Sequence, residues 1–172
     1  MPPVMPGRFT AEMNEPFVVF LIGMRVNKFF AFKKWLPVAN AMPKMLEVLY
    51  QHPEKGFLGG ETFIQFPPVT VLSLQYWRSF DDLERFARSK DEPHLEPWRQ
   101  FNQAIGAGGL VGIFHETYMV EPGKYEAVYG NMPVFGLAKA TKHIPAVGRK
   151  ETARRRLGGE SEPAVPSPEQ SL

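Results

Sequence analysis

Residues 17–25, FVVFLIGMR, are the stretch that decides the fold. They are apolar at nearly every position and rich in aromatic and β-branched side chains, which is typical of a strand covered on both faces. The apolar run is far shorter than the roughly 20 residues that a membrane helix needs. We therefore predict a strand at the centre of a sheet, with packed material on both sides.

A helix and a hairpin are predicted to follow this strand. Residues 28–51 carry apolar side chains close to the 3.6-residue repeat of a helix with one buried face, but Pro37 and Pro43 interrupt it. Because an internal proline removes a backbone donor, we expect a kinked helix, or one piece ending near Leu36 and a second after it. Residues 61–66 and 69–78 read as two strands joined at Pro67-Pro68.

Two further helices and a last strand complete the pattern. Ser79 followed by Asp82 resembles a capping box, which predicts a helix from Phe80 to about Arg88. Asp91 followed by a proline in the first turn is a second helix N-terminus, which predicts a helix ending near residue 105. Residues 111–120 are predicted to form the fourth strand.

The resulting order, β-α-β-β-α-β, predicts an α+β fold of the ferredoxin-like class, in which helices cover one face of a four-stranded sheet. The other face also needs a cover, because the first strand is apolar on both sides. We expect the same sheet of a second subunit to provide it. The sequence thus predicts a homodimer.

The length of 172 residues fits one domain with extensions. Residues 1–16, with four prolines, are predicted to form an extended arm. Residues 17–147 form the domain, and the part of it beyond residue 121 is expected to wrap the domain or its partner. Residues 148–172 are polar and rich in Gly and Pro, which predicts a disordered tail. Its basic run at residues 149–156 either contacts an acidic partner or, more commonly for such a tail, is solvated charge.

Composition excludes several function classes. The absence of cysteine removes thiol nucleophiles and zinc–thiolate sites, and a net charge of +2 is too small for a nucleic-acid-binding surface. P-loop, G-x-G-x-x-G, H-E-x-x-H and G-x-S-x-G motifs are all missing from the sequence. With no signal peptide or membrane span evident, we expect a cytoplasmic protein whose partners include neither membrane nor nucleic acid.

One row of candidate residues lies on the predicted helix after Asp91. His94, Trp98 and Asn102 recur at i, i+4 and i+8, so an imidazole, an indole and an amide share one face. Facing the sheet, this row would line a pocket for a small apolar or aromatic molecule. The plainer alternative makes Trp98 a core residue and His94 a half-exposed one, since no metal-ligand spacing accompanies the histidine.

The strands supply the other candidates. His115 falls on an otherwise apolar strand face, as a satisfied core histidine or as a base or haem ligand. Arg25 ends its strand, either at the mouth of a cavity or where the strand meets water. Tyr76 and Trp77 end another strand and either reach a pocket or belong to the core.

Several blocks resemble a small monooxygenase-like family that includes a protein of the fungal fumagillin pathway. The resemblance covers roughly residues 14–147, and its most specific motifs are HETY at residues 115–118 and YGNMP at residues 129–133. The other blocks are VVFLIGMRVNKF, WLPVANAMPKML, QYWRSFDDLERFAR and PHLEPWRQFN. More broadly, the chain is similar to the antibiotic-biosynthesis monooxygenase superfamily of dimeric α+β barrels.

The resemblance implies the fold, the dimer and a pocket at Trp77 and His94. It also implies a monooxygenase that oxidises an aromatic or polyketide-like substrate without a cofactor. Such chemistry needs a base, an anion stabiliser and an apolar pocket. His94 is the candidate base and Arg25 and Asn102 the candidate anion stabilisers. The candidate walls are Trp77, Trp98 and Phe114, with Tyr76 and His115 as further substrate-binding residues.

Two alternatives remain open, because one fold hosts several functions. A haem enzyme would use His115 or His94 as the axial ligand and bind haem non-covalently, since the chain has no cysteine. A non-catalytic dimeric module would bind a ligand without converting it.

Overall fold

The computed structural model describes residues 2–89 and 108–164. Its strands are β1 (Met5–Glu12), β2 (Phe17–Val26), β3 (Phe57–Gln65), β4 (Thr70–Trp77), β5 (Val111–Val120), β6 (Tyr129–Met132) and β7 (Lys142–Pro145). Its α-helices are α1 (Phe32–Gln51), α2 (Phe80–Arg88) and the single turns α3 (Leu137–Ala140) and α4 (Ala153–Arg156), with 3₁₀ turns at Pro53–Lys55 and Gly148–Lys150. Two units result: a sheet–helix unit, Val18–Tyr118, and a terminal unit that combines Met1–Phe17 with Met119–Leu172.

The sheet–helix unit has the predicted ferredoxin-like topology. Its four strands lie in the order β3-β4-β2-β5, so β2 is a central strand, as its sequence predicts. β4 pairs antiparallel with both β2 and β3, which separates the two strands that α1 connects. This is the strand order of a split β-α-β unit.

Both long helices cover one face of this sheet. Val18 and Trp77 from the strands pack with Leu49 of α1 and Leu83 of α2 in one buried cluster. A second cluster joins Met24, Val26 and Val111 of the sheet, and Trp35 of α1 packs against it. The even-numbered side chains of β2 therefore face the helices, because successive side chains of a strand point to opposite faces.

Helix α1 runs unbroken from Phe32 to Gln51 with both prolines inside it. Of the two predicted forms, the structure has the single helix. Its apolar side packs on both buried clusters, which compensates for the backbone hydrogen bonds that Pro37 and Pro43 cannot make.

The predicted hairpin is present and longer than expected. β3 begins at Phe57, because Gly59 and Gly60 lie inside the strand and not before it. The register with β4 shifts between Phe57 and Gly59, where Gly59 has a φ of 146°, so these glycines accommodate an irregularity in the strand. The hairpin turns at residues 66–69, which confirms the predicted turn at Pro67-Pro68.

The terminal unit differs from the sequence-based expectation of an arm and a wrapping segment. The arm contains β1, which lies between β6 and β7 in a three-stranded antiparallel sheet. The segment expected to wrap supplies β6, α3 and β7. These short strands cannot be predicted from nearby sequence, because they depend on distant partners. Phe9 pairs with Tyr129 and Pro145, more than a hundred residues later.

The start of the predicted disordered tail also has defined structure. Arg156 of α4 is nearly buried; its guanidinium donates to Glu126 and to the backbone carbonyls of Lys150 and Glu151. At least this arginine is thus bound and not solvated, because a buried guanidinium is stable only with such partners. Within the described part of the chain, no helix is long and apolar enough to cross a membrane.

Candidate active site

A cavity of about 310 Å³ lies against the helix-covered face of the four-stranded sheet. Small-molecule sites typically have volumes of about 300–1,000 Å³ and mainly apolar walls. The apolar lining residues are Phe20, Ile22, Met42, Met45, Leu49, Trp77, Phe80, Leu83, Phe86 and Ala87, and the polar ones are Gln75, Glu84, Arg88, His115 and Thr117. The cavity therefore suits a mainly apolar molecule with one or two polar groups.

Three side chains on β4 form a buried hydrogen-bonded line, and two of them, Gln75 and Trp77, line this cavity. Trp77 Nε1 donates to Gln75 Oε1 at 3.0 Å, and Gln75 Nε2 donates to Ser73 Oγ at 3.2 Å. Ser73, Gln75 and Trp77 share one face because they alternate along the strand. Each is buried, and these bonds offset the cost of placing polar atoms in an apolar wall.

Gln75 has one donor that is only weakly used. Its Nε2 also points to Met42 Sδ at 3.8 Å, and a thioether sulfur is a poor acceptor. Because Gln75 lines the cavity, a ligand oxygen there would be a better partner for this N–H group. Gln75 is thus the buried side chain best placed to orient a polar group of a ligand.

His115 lies on β5 and lines the same cavity. Its ring centroid is 6.0 Å from that of Phe20, and its side chain is exposed and not the buried core histidine that was one expectation. β5 is an edge strand, which explains this exposure. His115 forms no hydrogen bond within the described part of the chain, so both ring nitrogens are available to a ligand.

The charged residues of the lining lie on α2. Arg88 Nη1 donates to Glu84 Oε1 at 3.0 Å, one helical turn away, and both side chains are largely exposed. An exposed pair of this kind adds little stability. Either charge is therefore free to exchange its partner for a charged group of a ligand.

The start of α2 is fixed by a charged cluster just beyond Trp77. Ser79 Oγ accepts from the Asp82 backbone N–H at 3.1 Å, which confirms the predicted cap. Asp82 is buried and accepts from Arg78 Nε at 2.8 Å and from Arg85 Nη1 at 2.9 Å. The hydrogen bond from Arg78, aided by Ser79 and opposed by burial, holds the pKa of Asp82 below its ordinary value.

Gly56 shows how closely this cluster is packed. Its φ is 86°, and a Cβ there would lie 2.5 Å from Asp82 Oδ2. Gly56 O also accepts from the Arg78 backbone N–H at 2.8 Å. Only glycine fits both this conformation and this approach. The cluster thus fixes α2 and, through Leu83 and Phe86, the surroundings of Trp77.

The structure separates the candidate residues of the sequence analysis. Trp77 and His115 line the cavity. Arg25, Tyr76 and Phe114 alternate with the cavity residues along their strands, so their side chains point to the second face of the sheet. On that face, a Cβ at Gly23 would lie 2.6 Å from the Phe114 ring. Arg25, Tyr76 and Phe114 therefore do not line this cavity, which corrects their expected grouping with Trp77. His94, Trp98 and Asn102 lie outside the described residues.

Gln75, Met42 and Phe20 line the cavity but were not among the residues predicted from the sequence. The signal for Gln75 was its position two residues before Trp77, which places both on one face of β4. Met42 and Phe20 carry no such signal, because their proximity depends on how α1 lies on the sheet.

The side chains present can be compared with those that a metal ion or a haem would need as ligands. Within the described residues, no group of three His, Cys, Asp or Glu side chains is placed to hold a metal ion. A haem would need an imidazole beside an apolar, aromatic space. His115 with Phe20, Trp77 and Phe86 matches those residue types.

A curated relative and two solved structures resemble this chain. Monooxygenase af470 of Aspergillus fumigatus is 29% identical over 148 residues, which cover 74% of this chain and 48% of that protein. This chain therefore spans about half the length of that relative. SnoaB, a cofactor-independent oxygenase from Streptomyces nogalater, aligns over 61% of this chain and 93% of its own, with a TM-score of 0.44 and 12% identity. An aldoxime dehydratase aligns over 81% of this chain and 44% of its own, with a TM-score of 0.45 and 12% identity.

A family profile provides the wider match. The profile of the Monooxygenase af470-like family covers residues 17–137, from the first residue of β2 to the first residue of α3. This range includes every described residue that lines the cavity and exceeds half of the chain. The chain belongs to the Monooxygenase af470-like family.

Proposed function

We propose that this protein is a small-molecule monooxygenase that oxidises an aromatic or polyketide-like substrate without a bound cofactor. The observation that carries the proposal is the apolar cavity of about 310 Å³ with the hydrogen-bonded Gln75 and Trp77 in its wall. Gln75 is held in turn by its hydrogen bond to Ser73. Membership of a monooxygenase-like family supports the reaction class.

The proposed reaction requires an acidic, electron-rich CH₂ group in the substrate, or a phenol ring carbon that gains this form by tautomerisation. A base removes the proton, and the carbanion adds to O₂ to give a hydroperoxide. Elimination of water from a CH–OOH group then leaves a C=O group, so the substrate carbon supplies all four electrons that reduce O₂. The protein contributes the base, donors to the anion and exclusion of water.

The described residues fill these roles as follows. His115 is an imidazole on the cavity wall that can accept the proton, and Gln75 Nε2 can donate to the substrate oxygen that gains negative charge. Phe20, Trp77 and Phe86 form the apolar walls. His94, Trp98 and Asn102 stay as predicted contributors, with His94 as the competing candidate for the base.

A haem-binding enzyme is the second candidate function. His115 favours it, because this imidazole has no described hydrogen-bond partner and lies next to aromatic side chains. Haem would supply redox chemistry at its iron, and His115 would be the residue that holds it.

The homodimer is a proposal about the second face of the sheet. Val19, Leu21, Leu72 and Leu74 point to this face and are only partly buried. A second copy of the sheet would remove this apolar surface from water. Size-exclusion chromatography with light scattering measures the mass, and a monomer at micromolar concentration would contradict the proposal.

The function is tested by measuring oxygen uptake with a panel of phenols and anthrones, alongside absorbance spectra during titration with hemin. We expect uptake without hemin, and a loss of about 10²–10⁴-fold in kcat for His115→Ala if His115 is the base. His52→Ala is the matched control, because His52 is an exposed histidine paired with Glu54 outside the cavity. His94→Ala tests the competing base.

Each alternative predicts a different result. A Soret band that His115→Ala abolishes would replace the proposal with the haem enzyme. Substrate binding without any oxygen uptake, with or without hemin, would leave a ligand-binding module.

A further inference from the structure

We propose that a patch of exposed aromatic and basic residues at the start of α1 binds the surface of membranes that contain anionic lipids. The aromatic patch is defined as Phe29, Phe30, Phe32, Trp35 and Phe66. It lies within the sheet–helix unit, and none of its members lines the cavity assigned to catalysis. The inference therefore does not depend on the proposed function.

The four phenylalanine rings of the patch are exposed, and the Trp35 ring is half-buried. The Phe29 ring centroid lies 5.8 Å from that of Phe30, 5.1 Å from that of Phe32 and 6.3 Å from that of Phe66. Phe30 is 89% exposed and Phe66 is 70% exposed. Single exposed apolar residues are common, but a cluster of contacting aromatic rings marks an interaction surface.

An ordered turn presents these rings. Trp35 packs against the buried Met24–Val26–Val111 cluster, and its Nε1 donates to Phe29 O at 2.9 Å. At the base of the turn, the Val26 backbone N–H donates to Val69 O at 2.8 Å and that of Asn27 to Leu110 O at 3.0 Å. Trp35 and these backbone hydrogen bonds thus anchor the turn to the core, which lowers the entropy lost when the patch binds.

An open apolar recess adjoins the patch. It has a volume of about 570 Å³ and is lined mainly by Phe29, Phe66, Val69 and the Pro67-Pro68 turn. Such a recess beside projecting rings can accept a lipid acyl chain, while the rings lie at the headgroup boundary.

The charge around the patch selects the partner. Between Glu15 and Glu47 the sequence contains five basic and no acidic residues, and there is no acidic residue between Glu61 and Asp81. Lys28 and Lys33 are exposed and form no ion pair within the described part of the chain. Basic side chains beside exposed aromatic rings are the pattern that attracts a protein to anionic lipid headgroups.

The same charge disfavours a second copy as the occupant. A symmetric dimer through this patch would bring Lys28 and Lys33 close to the same residues of its partner, and like charges at an interface are unfavourable. Peripheral binding also needs no spanning segment, so it is compatible with the short apolar runs of the sequence.

The test is flotation of the full chain with vesicles of phosphatidylcholine alone and with about 30 mol% phosphatidylglycerol added. We expect binding to the anionic vesicles that weakens as salt is added. Phe30→Ser should lower the partition coefficient by about tenfold, and the double variant Lys28→Glu/Lys33→Glu by at least about tenfold on anionic vesicles. Phe30 is too exposed for its loss to affect folding, and circular dichroism verifies this.

Two matched controls distinguish binding through the patch from nonspecific effects of exposed apolar surface and of net charge. Met119→Ser removes an apolar side chain that is 76% exposed elsewhere, and Lys124→Glu reverses an exposed charge elsewhere. Both should bind vesicles as the unaltered protein does. The proposal is overturned if the protein does not float with anionic vesicles, or if Phe30→Ser binds like the controls. A change of oligomeric state in Phe30→Ser would assign the patch to a second copy instead.

Discussion

The two faces of strand β4 carry different kinds of side chain. Ser73, Gln75 and Trp77 point to the helices and form a hydrogen-bonded line beside a cavity. Leu72 and Leu74 point the other way and offer only apolar surface. The helix-covered face therefore combines burial with a line of directional polar groups, as binding sites do. The leucines of the other face provide apolar packing surface.

The largest effect should come from the helix-covered face. Trp77→Ala should reduce the free energy of unfolding by about 3–5 kcal/mol, because a fully buried indole leaves a cavity in the core. Urea denaturation followed by far-ultraviolet circular dichroism measures the change. A loss below about 1 kcal/mol would mean that this face is not the tightly packed one, and the contrast between faces would fail.

The second prediction separates chemistry from packing. Gln75→Leu should lower kcat by about 10²–10³-fold, since it removes a donor to the developing anion. The variant also leaves Trp77 Nε1 without its acceptor, at a cost of about 1–3 kcal/mol, so stability is measured in parallel.

Leu74→Met is the matched variant on the opposite face. It conserves volume and should leave kcat unchanged. Equal turnover in Gln75→Leu and the unaltered protein would exclude Gln75 from the reaction.

The difference between the faces also shows where prediction from sequence stops. The strand at residues 17–25, the turn at Pro67-Pro68 and the Ser79 cap follow from local patterns, and the structure confirms all three. Grouping candidate residues across strands requires the register, and a shift of one residue moves a side chain to the other face. The sequence does not give this register, so the prediction grouped Arg25 and Phe114 with Trp77 although they lie on the other face.

Long-range pairing is the second limit. β1 gave no local strand signal, because its partners lie near residues 130 and 144. The run of basic residues around Arg156 likewise gives no sign that this arginine contacts Glu126, 30 residues earlier. Local composition therefore described these segments as arm and tail.

The third prediction concerns what holds the helix-covered face together. Asp82→Asn should lower the free energy of unfolding at neutral pH by about 1–2 kcal/mol, because it weakens charge-assisted bonds to a buried carboxylate. Asp81→Asn is the matched control, an exposed carboxylate in the same turn.

Acid should have the same effect as the substitution. Arg78 and Ser79 lower the pKa of Asp82 in the folded state, so below about pH 4 the unfolded chain takes up the proton first. The stabilisation is thus complete at neutral pH and is lost as the pH falls through the folded-state pKa. Thermal unfolding from pH 7 to pH 3 should show a smaller decline for Asp82→Asn than for Asp81→Asn, and parallel curves would contradict this.

The smallest effect is expected on the opposite face, and it depends on a second subunit. Phe114 is 41% exposed and packs over Gly23, so Phe114→Ala should cost the single chain less than Trp77→Ala does. If two sheets meet at this face, the substitution should instead raise the dimer dissociation constant by about tenfold. Sedimentation velocity over a range of concentrations measures that constant. An unchanged constant would remove Phe114 from the interface, and the apolar character of its face would then need another partner.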